Sequence, residues 1–225
     1  MKAKALAVGG CAAALLTSAL FARPGVSAAA QPQPSSAGAG IRVVSVNGSG
    51  CPHGTASIHE LPGLVGFTAT YKNFLAAVGP GNVVNFRKNC QFGVRMQAPP
   101  GYAYTAVSAQ YRGYGKLARG MRGQQETSYY FQGQPQTVSP SHSLPGPLRG
   151  YWSRSEHVLL SALGAAGQGS AGQNKTACGQ VHILNINAQL IVYPGATTSG
   201  PVNYLTLNSA SHGYTTYRFT RARCP

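Results

Sequence analysis

Apolar and polar residues alternate with a period of two along residues 83–96. Val84, Phe86, Cys90, Phe92, Val94 and Met96 are apolar, whereas Asn85, Arg87, Asn89, Gln91 and Arg95 between them are polar. Only a half-buried β-strand places successive side chains on opposite faces in this way. Lys88 is the one residue on the apolar side that breaks the alternation. The pattern predicts a long strand with one buried face and one cationic face.

Similar alternation recurs along most of the chain, between Gly- and Pro-containing turns. Strands are predicted at residues 41–46, 56–59, 64–72, 83–96, 103–112, 127–132, 150–160, 180–193, 202–207 and 214–221. No stretch shows a convincing helical period with helix caps. Short strands with this punctuation predict an all-β protein, a single antiparallel β-sandwich or jelly-roll-like domain.

Residues 1–30 have the plan of a secretory signal peptide. A basic start at Lys2 and Lys4 precedes an apolar stretch over residues 5–22, and small residues offer cleavage after Ala28 or Ala30. A retained membrane anchor is one alternative, but glycines and hydroxyl residues interrupt the apolar stretch. Lipidation of Cys11 is another, but too few apolar residues precede it. We therefore expect a secreted, extracellular protein with no integral membrane segment after cleavage.

Residues 31–40 are rich in Pro, Ser and Gly and contain little that a core would bury. They predict a disordered linker, so the β-sandwich domain is expected to span residues 41–225.

The charge of the chain is strongly unbalanced. It has 18 Lys and Arg against three acids, which gives a formal net charge of +15 at pH 7. Such a charge favours anionic partners, namely an anionic polysaccharide, nucleic acid or an envelope surface.

Four cysteines remain after removal of the leader: Cys51, Cys90, Cys178 and Cys224. An even number in an exported chain predicts disulfides, so the domain is expected to be braced by two of them. Zinc is the alternative, but no Cys-x-x-Cys pair is present, and neither a metal nor a cofactor is predicted. Three pairings are possible. We favour Cys51–Cys90 with Cys178–Cys224, because these bonds close loops of comparable size.

Several short motifs resemble the secreted family called domain of unknown function 4360. They are the GSGCP motif at residues 48–52, RKNCQ at 87–91, ACG at 177–179, LNIN at 184–187 and the cysteine at 224. The resemblance covers nearly the whole mature domain and implies no activity, since none is established for the family. The chain departs from the family pattern at Lys72 and Asn208, where acids are usual, and at Thr220, where an aromatic residue is usual.

Candidates for catalysis are few. A glycosidase needs two positioned carboxylates, and the only acids are Glu60, Glu126 and Glu156. A Ser-His-Asp triad lacks its aspartate, although Glu156 beside His157 leaves a cleft with this pair as a hypothesis. A secreted hydrolase or inhibitor is therefore the alternative function, and the sequence does not identify its site.

Binding of an anionic polymer, without catalysis, is the function that the sequence favours. Residues 111–123 interleave cations with tyrosines and glycines, an arrangement that suits stacking on bases or sugars while neutralising anions. The predicted anion-binding residues are Arg87, Arg95, Arg112, Lys116, Arg119 and Arg122. We expect them to form one row, because the strand at 103–112 follows the strand at 83–96 by a short turn. The alternative is that these cations only face water.

Overall fold

The alternating segments form β-strands in the computed structural model, which describes residues 38–80, 85–163, 178–193 and 200–224. Within these ranges the strands are β1 (Gly40–Asn47), β2 (Ala56–Glu60), β3 (Gly66–Tyr71), β4 (Leu75–Val78), β5 (Arg87–Gln97), β6 (Tyr102–Leu117), β7 (Arg122–Phe131), β8 (Ser141–Pro145), β9 (Leu148–Leu159), β10 (Val181–Tyr193), β11 (Asn203–Thr206) and β12 (Tyr214–Arg223). Short 3-10 helices lie at Pro62–Leu64, Leu160–Leu163 and Ser209–Ser211.

The strands pair in two antiparallel sheets. Sheet A has the order β1-β5-β10-β7-β8, and sheet B has the order β2-β3-β12-β6-β11-β4. β6 occupies the centre of sheet B, because it pairs along one edge with β12 and then β11, and along the other edge with β9. The outer face of sheet B is therefore organised around the outward side chains of β6.

The inner faces of the two sheets pack against each other. The even-numbered residues of β5 from Cys90 to Met96 are at most 1% exposed, as the alternation predicted. Between the sheets, the ring of Phe67 in β3 lies 5.5 Å from that of Phe92 in β5 and 4.9 Å from that of Tyr217 in β12. Burial of these apolar side chains is the main stabilising contribution. The predicted antiparallel β-sandwich is confirmed.

Two disulfides brace the sandwich. Cys51–Cys90 joins the segment between β1 and β2 to β5, with a Cα–Cα distance of 5.4 Å. Cys178–Cys224 joins the residues just before β10 and just after β12, with a Cα–Cα distance of 6.3 Å. This is the pairing that the sequence analysis favoured. The sequence separations are 39 and 46 residues, and loops of this size stabilise a fold by about 4 kcal/mol each in the chain-entropy model.

The expected pairing of β5 with β6 is wrong. The short connection over residues 98–101 carries the chain from sheet A to sheet B, so the two strands lie in different sheets. Residues 111–123 form the end of β6, a turn and the start of β7, which likewise lie in different sheets. The single row of cations predicted from this pairing therefore does not form.

The predicted signal peptide and most of the predicted linker lie outside the described residues, as do residues 83 and 84 of the strand predicted at residues 83–96. In the part of the chain that the structure describes, no helix has the length and apolar character needed to cross a membrane.

Candidate functional site: the outer face of sheet B

The six predicted anion-binding residues divide between opposite faces of the sandwich. Arg87, Arg95 and Arg122 project from the outer face of sheet A, whereas Arg112 and Lys116 project from β6 on the outer face of sheet B. Arg119 is exposed in the turn between β6 and β7. The prediction thus combined two surfaces that have different surroundings.

The cations of sheet A have partners within the protein. Arg87 Nε donates to Gln189 Oε1 at 2.7 Å, and Arg95 donates to Gln97 Oε1 at 2.6 Å and to the Gly38 carbonyl at 3.3 Å. The guanidinium of Arg122 lies 3.9 Å from the centre of the Tyr193 ring. These contacts hold the three side chains against the sheet.

A hydrogen-bonded network of amides continues across the outer face of sheet A. Glu126 accepts from Gln124 Nε2 at 2.7 Å and from Gln189 Nε2. Tyr193 donates to Gln124 Oε1 at 2.9 Å, and Asn89 Nδ2 donates to Asn187 Oδ1 at 3.0 Å. Because these groups bond to one another, they are already satisfied when no ligand is bound.

On sheet B, β6 presents a row of outward side chains with a regular spacing. Ser108, Gln110, Arg112, Tyr114 and Lys116 point away from the core, whereas the residues between them are buried. The row is about 27 Å long at the usual rise of a strand. Its inward positions include Gly113, where a Cβ would overlap the backbone of Thr206 and the ring of Trp152. The glycines between the cations therefore allow close packing on the inner side of β6, whereas the cations and Tyr114 point to the outer surface.

Aromatic side chains from four segments meet around Tyr114. Its ring lies 5.4 Å from that of Tyr151 in β9 and 6.3 Å from that of Tyr204 in β11. Tyr151 in turn lies 6.0 Å from the His212 ring, and the guanidinium of Arg112 lies 5.9 Å from the centre of the Tyr151 ring. Tyr151 is 56% exposed, so this aromatic cluster offers ring surface to the solvent.

Four cations lie on this outer face, beside the aromatic cluster or farther along β6. Among the described residues, no carboxylate lies on this face. The cations are Arg112 and Lys116 of β6, Arg149 of β9 and Arg218 of β12. Apart from the contact of Arg112 with Tyr151, none has a hydrogen bond or an ion pair within the described ranges. The three acids of the chain lie elsewhere: Glu60 pairs with Arg42 at 3.5 Å, Glu126 is on sheet A, and Glu156 is buried. This face is accordingly positive and has charge available for a ligand.

Hollows along β6 extend the binding surface. One of about 380 Å³ is bordered by Ser108, Gln110, Ser155, His157, Thr216 and Arg218, and one of about 390 Å³ by Arg112, His212 and Tyr214. A third, of about 230 Å³, lies beyond Lys116 at the end of the strand. The hollows and the aromatic cluster together follow the length of β6, as an elongated ligand would.

The hypothesis of a catalytic pair at Glu156 and His157 does not fit the geometry. Both residues border the 380 Å³ hollow, and Ser108 Oγ lies 2.9 Å from His157 Nδ1. Glu156 is the next residue in the strand, however, so its side chain points to the opposite face, where its carboxylate is 3% exposed. It therefore cannot orient the His157 imidazole as a triad requires.

The carboxylate of Glu156 lies inside the sandwich, and the residue also borders the 380 Å³ hollow. Its Oε1 accepts from the hydroxyls of Tyr111, at 2.6 Å, and of Tyr129, and its Oε2 lies 3.3 Å from His142 Nε2. Burial raises the pKa of the Glu156 carboxyl, and the hydrogen bonds from Tyr111 and Tyr129 and the nearby His142 act in the opposite direction. Burial also raises the pKa of both tyrosines well above the usual value. The alternation of β9 places Trp152, Glu156 and Val158 on one face, which is the signal that predicts an inward Glu156.

No group of three or more His, Cys, Asp or Glu side chains that suits a metal ion occurs among the described residues. The residues that the sequence analysis missed are Tyr151, Tyr204, His212, Arg149 and Arg218. They come from β9, β11, β12 and the turn before β12; the strand register brings the strand residues to β6, and His212 reaches the cluster through its contact with Tyr151.

The family described as "Domain of unknown function (DUF4360)" matches residues 37–224. This match confirms the resemblance seen in the short motifs.

A curated relative from Arthroderma benhamiae is named "Uncharacterized secreted protein". It is 34% identical over 151 residues, which cover 65% of this chain and 56% of the relative. The match thus spans little more than half of that relative. Together with the disulfides, it indicates that the present protein is extracellular.

Solved structures of carbohydrate-binding modules give only distant alignments. TmCBM61 in complex with β-1,4-galactotriose is 10% identical, with coverage of 82% of this chain and 88% of that chain and a TM-score of 0.27. The module CBM6cm-2 from Cellvibrio mixtus lichenase 5A, in complex with cellotriose, is 11% identical, with coverage of 80% and 99% and a TM-score of 0.29. At these TM-scores the alignments say nothing about the ligand of this chain.

Proposed function

Since this chain belongs to the DUF4360 family, whose description assigns no activity, we propose a function from the geometry of the chain itself. The protein is a secreted, non-enzymatic binding protein for an acidic extracellular polysaccharide, and the outer face of sheet B is its binding surface.

One observation carries this proposal: among the described residues, the cations on this face have no carboxylate partners, and they lie beside an aromatic cluster whose Tyr151 ring is exposed. Arg112 and Lys116 flank Tyr114 along β6, and Arg149 and Arg218 extend the positive surface to the neighbouring strands. Cations that are not neutralised within the protein attract polyanions over distances of about one Debye length, roughly 8 Å at physiological salt. Aromatic rings add contact with the apolar faces of sugar rings, and their amphipathic character suits a wet interface.

An acidic polysaccharide fits this face better than a neutral one, because a neutral chain would leave the charges without partners. It also fits the extracellular location better than nucleic acid, although DNA offers the same kind of charge. The elongated shape of the face, with hollows before and after the aromatic cluster, suits a chain that lies along β6.

The test is binding of the mature protein to immobilised polygalacturonate, heparin, DNA and neutral galactan over a series of salt concentrations. We expect binding to polygalacturonate or heparin that weakens steeply with salt, because association releases counterions from the polymer. Galactan should not bind. Binding that ignores salt, or equal retention on neutral galactan, contradicts the proposal; retention on DNA alone assigns the face to nucleic acid instead.

We further propose that the mature chain begins at Ala29 or Gln31, upstream of the domain whose first strand begins at Gly40. The basic start, the apolar stretch and the small residues at 26–30 support this. Intact-mass measurement of the secreted protein checks it. A species that retains Met1 or carries a lipid on Cys11 would contradict it.

A further inference from the structure

Lys116 and Arg149 form a pair of like charges that no other described residue compensates. Their Cα atoms lie directly opposite each other on β6 and β9. Like charges at directly opposed positions of a sheet destabilise it. Within the described residues neither side chain has a carboxylate, a carbonyl or an amide oxygen as partner. The repulsion is therefore present in the free protein and is relieved when an anion binds between the two side chains.

A second pair of opposed cations, on sheet A, can be compared with this one. Arg42 and Arg95 are also directly opposite each other, on β1 and β5. Arg42 Nη1, however, lies 3.5 Å from Glu60 Oε1, and Arg95 donates to Gln97 Oε1 at 2.6 Å. The same arrangement of like charges is thus compensated by the protein in sheet A and left open in sheet B.

The open pair borders the hollow of about 230 Å³ at the end of β6. Lys116 and Arg149 both line it, together with apolar side chains that include Leu148 and Val202. Asn203 fixes the wall, since its Oδ1 accepts from the Ala118 amide at 2.6 Å and its Nδ2 donates to the Pro201 carbonyl at 2.9 Å. Sites for drug-sized ligands have volumes of about 300–1,000 Å³. A smaller hollow with two cations and apolar walls suits one charged ring.

Aromatic surface adjoins the same position. Tyr204 lies opposite Lys116 on β11, and its ring stacks on that of Tyr114 at 6.3 Å. One sugar residue of a polymer could therefore bind in the hollow while the adjoining sugar residues lie across the aromatic cluster.

We propose that this hollow is the subsite for a uronate, a sugar residue that bears a carboxylate, and this assignment rests on the proposed function. The planar guanidinium of Arg149 suits bidentate binding of the carboxylate, and the Lys116 ammonium supplies the second charge. The apolar walls contact the ring. The subsite makes the protein selective for polysaccharides that carry carboxylates over the same polysaccharides in esterified form.

The experiment compares binding of trigalacturonate with that of its methyl ester, which has the same rings without the charge. Calorimetry on the mature protein should show an affinity for the acid at least about tenfold higher, the usual size of the contribution of charged hydrogen bonds. In K116Q/R149Q this preference should disappear. The control R42Q/R95Q has the same net charge and should keep the preference. The melting temperature of K116Q/R149Q should not fall, because the substitution removes a repulsion.

Equal affinity for acid and ester in the wild-type protein overturns the uronate subsite. So does an undiminished preference in K116Q/R149Q. In either case, retention of the wild-type protein on polygalacturonate or heparin leaves the proposed function standing. If the wild-type protein binds no acidic polysaccharide at all, the proposed function itself fails.

Discussion

The two outer faces of the sandwich carry arginines in similar numbers but use them differently. On sheet A, Arg87, Arg95 and Arg122 contact amides, carbonyls or an aromatic ring of the protein itself. On sheet B, Arg112 contacts only an exposed tyrosine, and Arg218 has no partner among the described residues. A satisfied cation contributes to stability, whereas an unsatisfied cation on a face without carboxylates is available for binding. A count of charges therefore does not locate a binding surface, whereas the contacts that each charged side chain makes within the protein do.

Reversing the charge on each face is the strongest way to separate these roles. In R112E/R218E, binding to the acidic polysaccharide should fall at least about a hundredfold, because like charges facing each other cost several kcal/mol. The stability of that variant should change little. R87E/R122E removes the same charge from sheet A and is the matched control.

The control should bind the polymer within a few fold of the wild type but unfold more easily, since Gln189 loses its partner. Affinity by calorimetry and free energy of unfolding by denaturant titration report the two properties separately. Equal losses of affinity in both variants would show that only the net charge matters, and the comparison between the faces would fail.

A smaller effect is expected from the aromatic cluster. Tyr151→Ala removes the most exposed ring of the cluster, and truncation of a tyrosine that contacts a ligand costs about 1–2 kcal/mol. The affinity for the polymer should fall about tenfold, with little change in its salt dependence. Tyr193→Ala on sheet A, whose ring lies under Arg122, serves as the control and should bind normally. If both variants bind alike, sugar rings do not contact the cluster.

The network on sheet A should respond to substitution through stability alone. Glu126→Ala leaves Gln124 and Gln189 without their acceptor. Because Gln189 is only 4% exposed, its lost hydrogen bond should lower the free energy of unfolding by about 1 kcal/mol. Denaturant titration measures this loss, and affinity for the polymer should be unchanged. A large gain in affinity instead would mean that Glu126 repels the ligand and that sheet A also faces it.

The alternation of residues predicted which side of each strand is buried, but not which sheet a strand joins. The inward residues of β5 from Cys90 to Met96 are those expected, because periodicity depends only on the local strand geometry. The Pro-Pro-Gly connection after β5 was interpreted as a hairpin, yet it crosses to the other sheet. A short turn is compatible with either course, and packing across the whole sandwich decides between them. For this reason the predicted single row of cations does not form.

The binding surface itself depends on long-range register. Tyr114 was among the residues singled out in the sequence, whereas Tyr204 and His212 are about a hundred residues away along the chain and carry no local signal. The inward position of Glu156 could be predicted from the sequence, since Glu156 alternates in phase with the apolar residues Trp152 and Val158. Its pairing with the outward His157 arose from adjacency in the chain, which in a strand means opposite faces.

The last expected effect is a change in the pH dependence of stability, and it comes from the buried acid Glu156. Burial raises the pKa of Glu156 above its ordinary value of 4.5. The folded state therefore holds this proton more tightly than the unfolded state. The resulting stabilisation is complete below the unfolded pKa and is lost as the pH rises through the folded pKa.

Glu156→Gln keeps an oxygen for the hydroxyls of Tyr111 and Tyr129 but cannot ionise. The free energy of unfolding of the wild type minus that of Glu156→Gln should decrease as the pH rises from 4.5. Taking this difference cancels the pH dependence of all other groups. Urea titrations at a series of pH values measure the difference. If it rises with pH instead, the Glu156 carboxylate is stabilised by its tyrosine and histidine neighbours more than burial destabilises it.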